Sequence, residues 1–151
     1  MANNKSIKLA NKLSHEEQDI KYYRDFSNHD LFKINDDDSP NYHELFIFFM
    51  GVGIIYDKKM ELEKKWNNVT VTNVSEKICD LITAISYKNN GIKNFNRPSA
   101  LGNEAEKFAK GGLHYVLKKL DSMDTEAFIN ELSVGMIQRA RKLRKLEGLD
   151  D

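Results

Sequence analysis

One stretch restricts every fold open to this chain: P-N-Y-H-E-L-F-I-F-F-M-G-V-G-I-I-Y, residues 40–56. From Leu45 to Tyr56 twelve residues pass without a charge, bounded by His43-Glu44 and Asp57-Lys58. That run is far shorter than the ~20 apolar residues of a membrane-spanning helix, so the rest of the chain must bury it. Ser39 suits the N-cap, Pro40 the first helical position and Glu44 the first turn, where negative charge meets the positive helix end. Tyr42, Leu45, Phe46, Phe49, Val52, Gly53 and Tyr56 repeat at i, i+3, i+4 spacing, while Phe48 and Ile55 make the opposite side apolar. A central helix at 40–56, covered on most of its circumference, follows. Gly51 and Gly53 each cost about 1 kcal/mol in a helix interior, which points to a neighbouring backbone lying close against them.

At 151 residues the chain fits a single helical domain over 1–151, with 1–13 and 146–151 as frayed ends. A domain of that size buries roughly 70% of its unfolded surface. Twenty-three basic residues balance 23 acidic ones, so no global charge draws the chain to nucleic acid, membrane or acidic substrate, and binding rests on local patches. Cys79 is the sole cysteine, which excludes an internal disulfide or a multi-cysteine zinc site. The N-terminal M-A-N-N-K-S-I-K-L-A-N-K-L lacks the apolar segment of a signal peptide, and a cytoplasmic protein without membrane contact is expected.

Residues 1–13 are polar, with Ile7, Leu9 and Leu13 as the sizeable apolar groups, and either fray or dock as a short helix. Ser14 and Glu17 have capping-box spacing for a helix over 15–26, with Ile20, Tyr23 and Phe26 as its stripe. Leu31-Phe32 plugs back into the core, and Asn35 to Asp38 form a solvated acidic loop. The charged segment 57–65, with Met60 and Leu62 two apart, is extended or else continues the helix. Residues 68–74 alternate β-branched and polar side chains and form the one short β element, which must pair with residues near 60–65, near 92–97, or with a partner chain. Ser75 and Glu76 open a helix in which Ile78, Leu81, Ile82 and Ile85 match the helical template; Asn89-Asn90-Gly91 ends it, and 92–101 is a loop. Asn103 caps a helix carrying Ala105, Phe108, Ala109, Gly112, Leu113, Val116, Leu117 and Leu120, broken at Gly111-Gly112. Asp124 caps the last helix, with Phe128, Ile129, Leu132, Met136, Ile137, Ala140 and Leu143 inward. The expected fold is mainly α: a compact bundle of about five helices around the central one.

Catalytic patterns are incomplete. Gly51-Val52-Gly53 would open a dinucleotide-binding G-x-G-x-x-G, but the last position is Tyr56 and no strand precedes it; His43-Glu44 would open a zinc-protease H-E-x-x-H, but Ile47 replaces the second ligand. Asp36 and Asp38 imitate the start of a calcium loop, yet Pro40, Asn41 and Ile47 occupy the later ligand and turn positions. Asp57, Glu63 and Lys65 spell D…E-x-K, a pattern by which two carboxylates hold magnesium and a lysine approaches the attacking water. A supporting sheet is missing for that chemistry, so a small metal-dependent nuclease stands as the rival. His15, His29, His43 and His114 lack a serine or cysteine partner, and Cys79 lies on an apolar helix face. No catalytic residue, metal site or cofactor is expected. The surplus lies in Arg139, Arg141, Lys142, Arg144 and Lys145: dipole compensation at a helix C-terminus uses one or two cations, and the excess suits a phosphate backbone or an acidic protein surface.

Three segments carry a family resemblance. H-E-L-F-I-F-F-M-G-V-G-I-I-Y-D-K-K with the charged M-E-L-E-K-K, then D-L-I-T-A-I-S-Y, then E-K-F-A-K-G-G-L-H-Y-V-L-K-K-L resemble small accessory proteins of bacterial DNA phosphorothioation and related phage-defence systems. The order is similar across residues 42–137: an F-x-F-A-A-x-L-G-type helix, a basic segment, a short helix and a glycine-pair helix. Met50-Gly51-Val52-Gly53 departs from the alanine-rich family version, and residues 1–38 have no counterpart. The resemblance implies a non-enzymatic subunit working beside larger DNA-modifying or DNA-cleaving proteins of a defence complex, with the basic run 139–145 as its candidate contact to DNA backbone phosphates; a structural homo-oligomer without nucleic-acid contact is the other rival.

Overall fold

The central helix forms because its N-terminus is closed on both sides. Asn41 accepts a hydrogen bond from the Glu44 amide (3.2 Å), and the Glu44 carboxylate accepts one from the Asn41 amide (3.0 Å), a complete capping box. Asn41 therefore takes the place expected of Ser39, which lies outside the described residues; Pro40 precedes the cap. The computed structural model describes residues 9, 12–32, 40–70 and 75–148. Along these the chain forms strand β1 (Lys12–Glu16), helix α1 (Ile20–Phe26), helix α2 (Tyr42–Ile55), strand β2 (Lys65–Thr70), and helices α3 (Glu76–Asn90), α4 (Pro98–Leu101), α5 (Asn103–Leu120) and α6 (Thr125–Glu147). The architecture is mainly α and compact. Among the described residues no helix is long and apolar enough to cross a membrane.

Helix α2 is the buried axis. Leu45, Phe46 and Phe49 have no exposed surface, and Met50, Val52 and Gly53 are also buried. The Phe49 ring meets Tyr23, Phe26 and Phe48 edge-on at 5.2–5.5 Å, and Phe32 closes on Phe48 at 4.9 Å, geometries that aromatic quadrupoles favour. The principal contact of α2 is α5, and glycines set its distance. A Cβ on Gly112 would collide with the Phe49 carbonyl, and one on Gly53 with the Phe108 carbonyl. The expected close backbone is thus real at Gly53, whereas Gly51 has open space around it. Gly111-Gly112 does not break α5; the pair lets two helix backbones touch.

The sheet departs from the sequence-based expectation. The strand is Lys65–Thr70, only partly overlapping 68–74 (71–74 lie outside the described residues), and it pairs antiparallel with Lys12–Glu16 and not with residues near 60–65 or 92–97. Ser14 and Glu16 consequently belong to a strand, and the Ser14–Glu17 capping box does not form. Instead Glu17–Asp19 make a 3-10 turn leading into α1. Leu13 and Val69 are paired and both buried, and a β-bulge shifts the register between Leu13 and Ser14. Leu13 also lies over Gly102, where a Cβ would strike its side chain.

The other face of α5 is fastened by charge. Glu16, 1% exposed, accepts from the amides of Glu63 and Lys64 (both 2.8 Å) and from Lys110 Nζ (2.9 Å). Burial alone would raise its pKa, but Lys110 and the two amides outweigh burial and hold it below the ordinary carboxylate value. Glu106 receives Lys65 (2.6 Å) and the Ser14 amide (2.8 Å), and Glu104 receives Lys59 (3.1 Å) and Lys107 (3.3 Å). These bonds stretch residues 57–65 across α5, settling the segment as extended rather than helical. Elsewhere, residues 91–94 form a 3-10 turn and 98–101 the short α4 rather than one loop, and Gly102, not Asn103, precedes α5. Asn103 Oδ1 accepts from Lys65 instead (2.9 Å).

Candidate anion-binding surface

Helix α2 ends in a turn that exposes cations. The Lys58 amide bonds back to the Gly53 carbonyl (2.8 Å) and Asp57 sits at φ 51°, a left-handed position normally given to glycine. The chain then runs flat over α5: the Lys58 carbonyl rests on Gly111, where a Cβ would collide with it, and the Met60 amide bonds the Lys107 carbonyl (3.1 Å). On either side of residues 57–59 lies a cleft. The larger, about 520 Å³, is lined by Asp57, Lys58, Lys59, His114, Tyr115, Lys118 and Lys119 among others. The smaller, about 110 Å³, takes Asp57 and Lys59 on one wall and Ile85, Lys88, Asn89, Phe108 and Arg139 on the others. Among the described residues, Asp57 is the single carboxylate lining either cleft, against Lys58, Lys59, Lys88, Lys118, Lys119 and Arg139.

Two of these cations are already matched. Lys59 pairs with Glu104, and Lys119 with Glu131 at 2.7 Å, a bond that lowers the Glu131 pKa and raises that of Lys119. Among the described residues Lys58, Lys88, Lys118 and Arg139 form no ion pair with a carboxylate. Like charges collected in a concave surface raise the local concentration of anions, so the surface has the electrostatics to hold phosphate. Tyr115 forms its wall, stacked on Tyr56 at 4.5 Å with Lys58 and Lys119 over its ring at 5.9 and 5.4 Å. Its hydroxyl donates to Glu131 (3.0 Å); burial and that bond push its pKa up to about 12, so it is a hydrogen-bond donor and not a base. His114 donates from Nε2 to the Asp19 carboxylate (3.1 Å) and separates this cleft from a third, of about 330 Å³, where Gln18, Asp19, Glu63 and Lys110 mix both signs of charge.

The five basic residues of the last helix divide. Arg139 is half-buried and joins the smaller cleft, whereas Arg141, Lys142, Arg144 and Lys145 are exposed. At 3.6 residues per turn these four fall within an arc of about 160° and share one broad exposed side of α6. The inward assignment of α6 is corrected as well. Phe128 is buried and Leu132 half-buried, but Ile129, Met136, Ile137, Ala140 and Leu143 are exposed: the first three lie off the side that Phe128 and Leu132 turn to the molecule, and from Ala140 to Leu146 the helix is exposed all round. Lys58, Lys59, Lys88, Lys118 and Lys119 carry no sequence signal of their own, since the turn after α2 and the ends of α3 and α5 meet only in the fold.

The rival nuclease triad is not assembled. Asp57 and Glu63 line different clefts, and Lys65 is held by Glu106 and Asn103. Among the described residues no three His, Cys, Asp or Glu side chains are grouped to hold a metal ion. Burial, then Asp80 and Glu76, raise the Cys79 pKa, which disfavours a thiolate. No family model, curated protein or solved structure gives a significant match to this chain.

Proposed function

We propose that the protein is a non-enzymatic accessory subunit of a bacterial DNA-targeting phage-defence assembly, and that it contributes contacts to nucleic-acid backbone phosphates. The observation that supports phosphate contact is the pair of clefts sharing Asp57 and Lys59, where Lys58, Lys88, Lys118 and Arg139 are left without carboxylate partners. The assembly role is supported by the order of segments over residues 42–137, similar to that of the phosphorothioation-associated proteins. Lysine and arginine without base-reading groups grip phosphate without reading sequence, so the contact is sequence-independent.

Binding to a short duplex followed by fluorescence anisotropy at two salt concentrations tests this. Each neutralised phosphate contributes about −0.9 to the slope of log K against log salt, and Lys58→Gln/Lys118→Gln/Arg139→Gln should flatten the slope by roughly two to three such increments. A folded variant that binds with the wild-type affinity and slope removes nucleic acid from the account. Co-purification of the tagged protein from its native host, finding no DNA-modifying or DNA-cleaving protein, removes the assembly.

A further inference from the structure

We propose that the exposed stripe of α6 is a homodimer interface, in which two copies of the helix pair antiparallel about a two-fold axis at Met136. Helix α6 has two apolar faces. One, with Phe128 and Leu132, packs on the molecule, where Gly135 makes room for the Tyr56 ring and the Tyr56 hydroxyl donates to the Glu131 carbonyl (3.2 Å). The other carries Ile129, Met136 and Leu143, which are 44%, 54% and 46% exposed. These three recur every seven residues, the repeat by which one helix lies along another, and among the described residues they stay exposed.

The spacing is symmetric about Met136, so an antiparallel copy sets Ile129 against Leu143 of the partner subunit and Met136 against its own equivalent. Isologous pairing requires this self-complementarity. Charge selects the direction. Glu126 and Arg144 are both exposed and stand eighteen residues apart, five full turns, on the same flank of the stripe. The antiparallel arrangement brings Glu126 of one copy beside Arg144 of the partner subunit, whereas a parallel one sets like against like. Asp124, Glu126 and Glu131 in the first half of α6 also oppose docking on an anionic lipid surface. Arg141, Lys142 and Lys145 remain outward, so the dimer carries the basic surface twice; the inference itself rests on the stripe and not on nucleic-acid binding.

Sedimentation equilibrium from micromolar to submillimolar protein is the test, with circular dichroism to confirm folding. The wild type should show a monomer–dimer equilibrium, and Met136→Glu, which sets two carboxylates together in the interface, should weaken it by on the order of 100-fold. In a Cys79→Ser background, oxidised Met136→Cys should cross-link to itself, while Ile129→Cys should not, its two copies lying ~21 Å apart along the axis. A wild type that stays monomeric throughout, a dimer indifferent to Met136→Glu, or equal cross-linking at 129 and 136 would each overturn the proposal.

Discussion

Helices α5 and α6 invite comparison because both are long, amphipathic and carry acidic side chains in the first turn. Helix α5 is held on two sides: glycines bring its backbone onto α2, Leu113 and Val116 are fully buried, and Glu104, Glu106, Lys107 and Lys110 fasten residues 59–65 and Glu16 across its polar face. Helix α6 is held only through its first half, by Phe128, Leu132 and the Tyr56–Glu131 contact, and from Ala140 to Leu146 every residue is exposed. An apolar stripe therefore states that a helix has something to bury and leaves open what buries it. On α5 the fold supplies the cover; on α6 the stripe points outward.

The comparison predicts a steep gradient of mutational cost. Gly112→Ala places a methyl group inside the Phe49 carbonyl, where backbone and not a flexible side chain must yield, and Phe49→Ala empties the opposite side of the same contact. Each should cost about 3–5 kcal/mol by urea unfolding; a loss under about 1 kcal/mol for Gly112→Ala would show that the two helices are not packed this closely.

Glu16→Gln probes the charged face of α5 and should cost less, about 2–3 kcal/mol at neutral pH, since it leaves Lys110 without its counter-charge in a nearly buried position. The sign of its pH dependence is fixed. Glu16 has a folded pKa below the ordinary 4.5, so its contribution is full above that value and is lost as pH falls through the lowered one. Melting curves of wild type and Glu16→Gln should converge in acid; a constant gap down to the acid transition would assign the loss to shape and not to charge.

The smallest effect belongs to α6. Met136→Ser in dilute solution should change stability by no more than about 0.5 kcal/mol, as for other exposed positions. A loss above about 2 kcal/mol under those conditions would mean that the second half of α6 packs on its own molecule, and would erase the contrast with α5.

Much of this fold is legible in the order of residues because it depends on local chemistry. Asp124 caps α6, its carboxylate accepting from the Ala127 amide at 2.8 Å, and Ser75 opens α3, since a capping side chain and the amide it satisfies are three residues apart. The uncharged run 45–56 had to be an interior helix, because no other element satisfies its backbone and buries it on all sides at that length. The pairing of β1 with β2, by contrast, joins residues 49 to 58 positions apart, and Ser14 with Glu17 spells a helix start that loses to the long-range bonds received by Glu16 and Glu106. For the same reason only one member of the basic surface, Arg139, lay among the residues singled out by sequence. Lys58, Lys88 and Lys118 come to line the two clefts because the ends of three helices meet around one turn. Sequence determined where helices begin and which faces are apolar, through forces that act within a few residues; the tertiary structure decided which of those faces are covered and which charges are left unpaired, because burial and Coulomb interaction depend on distance in space.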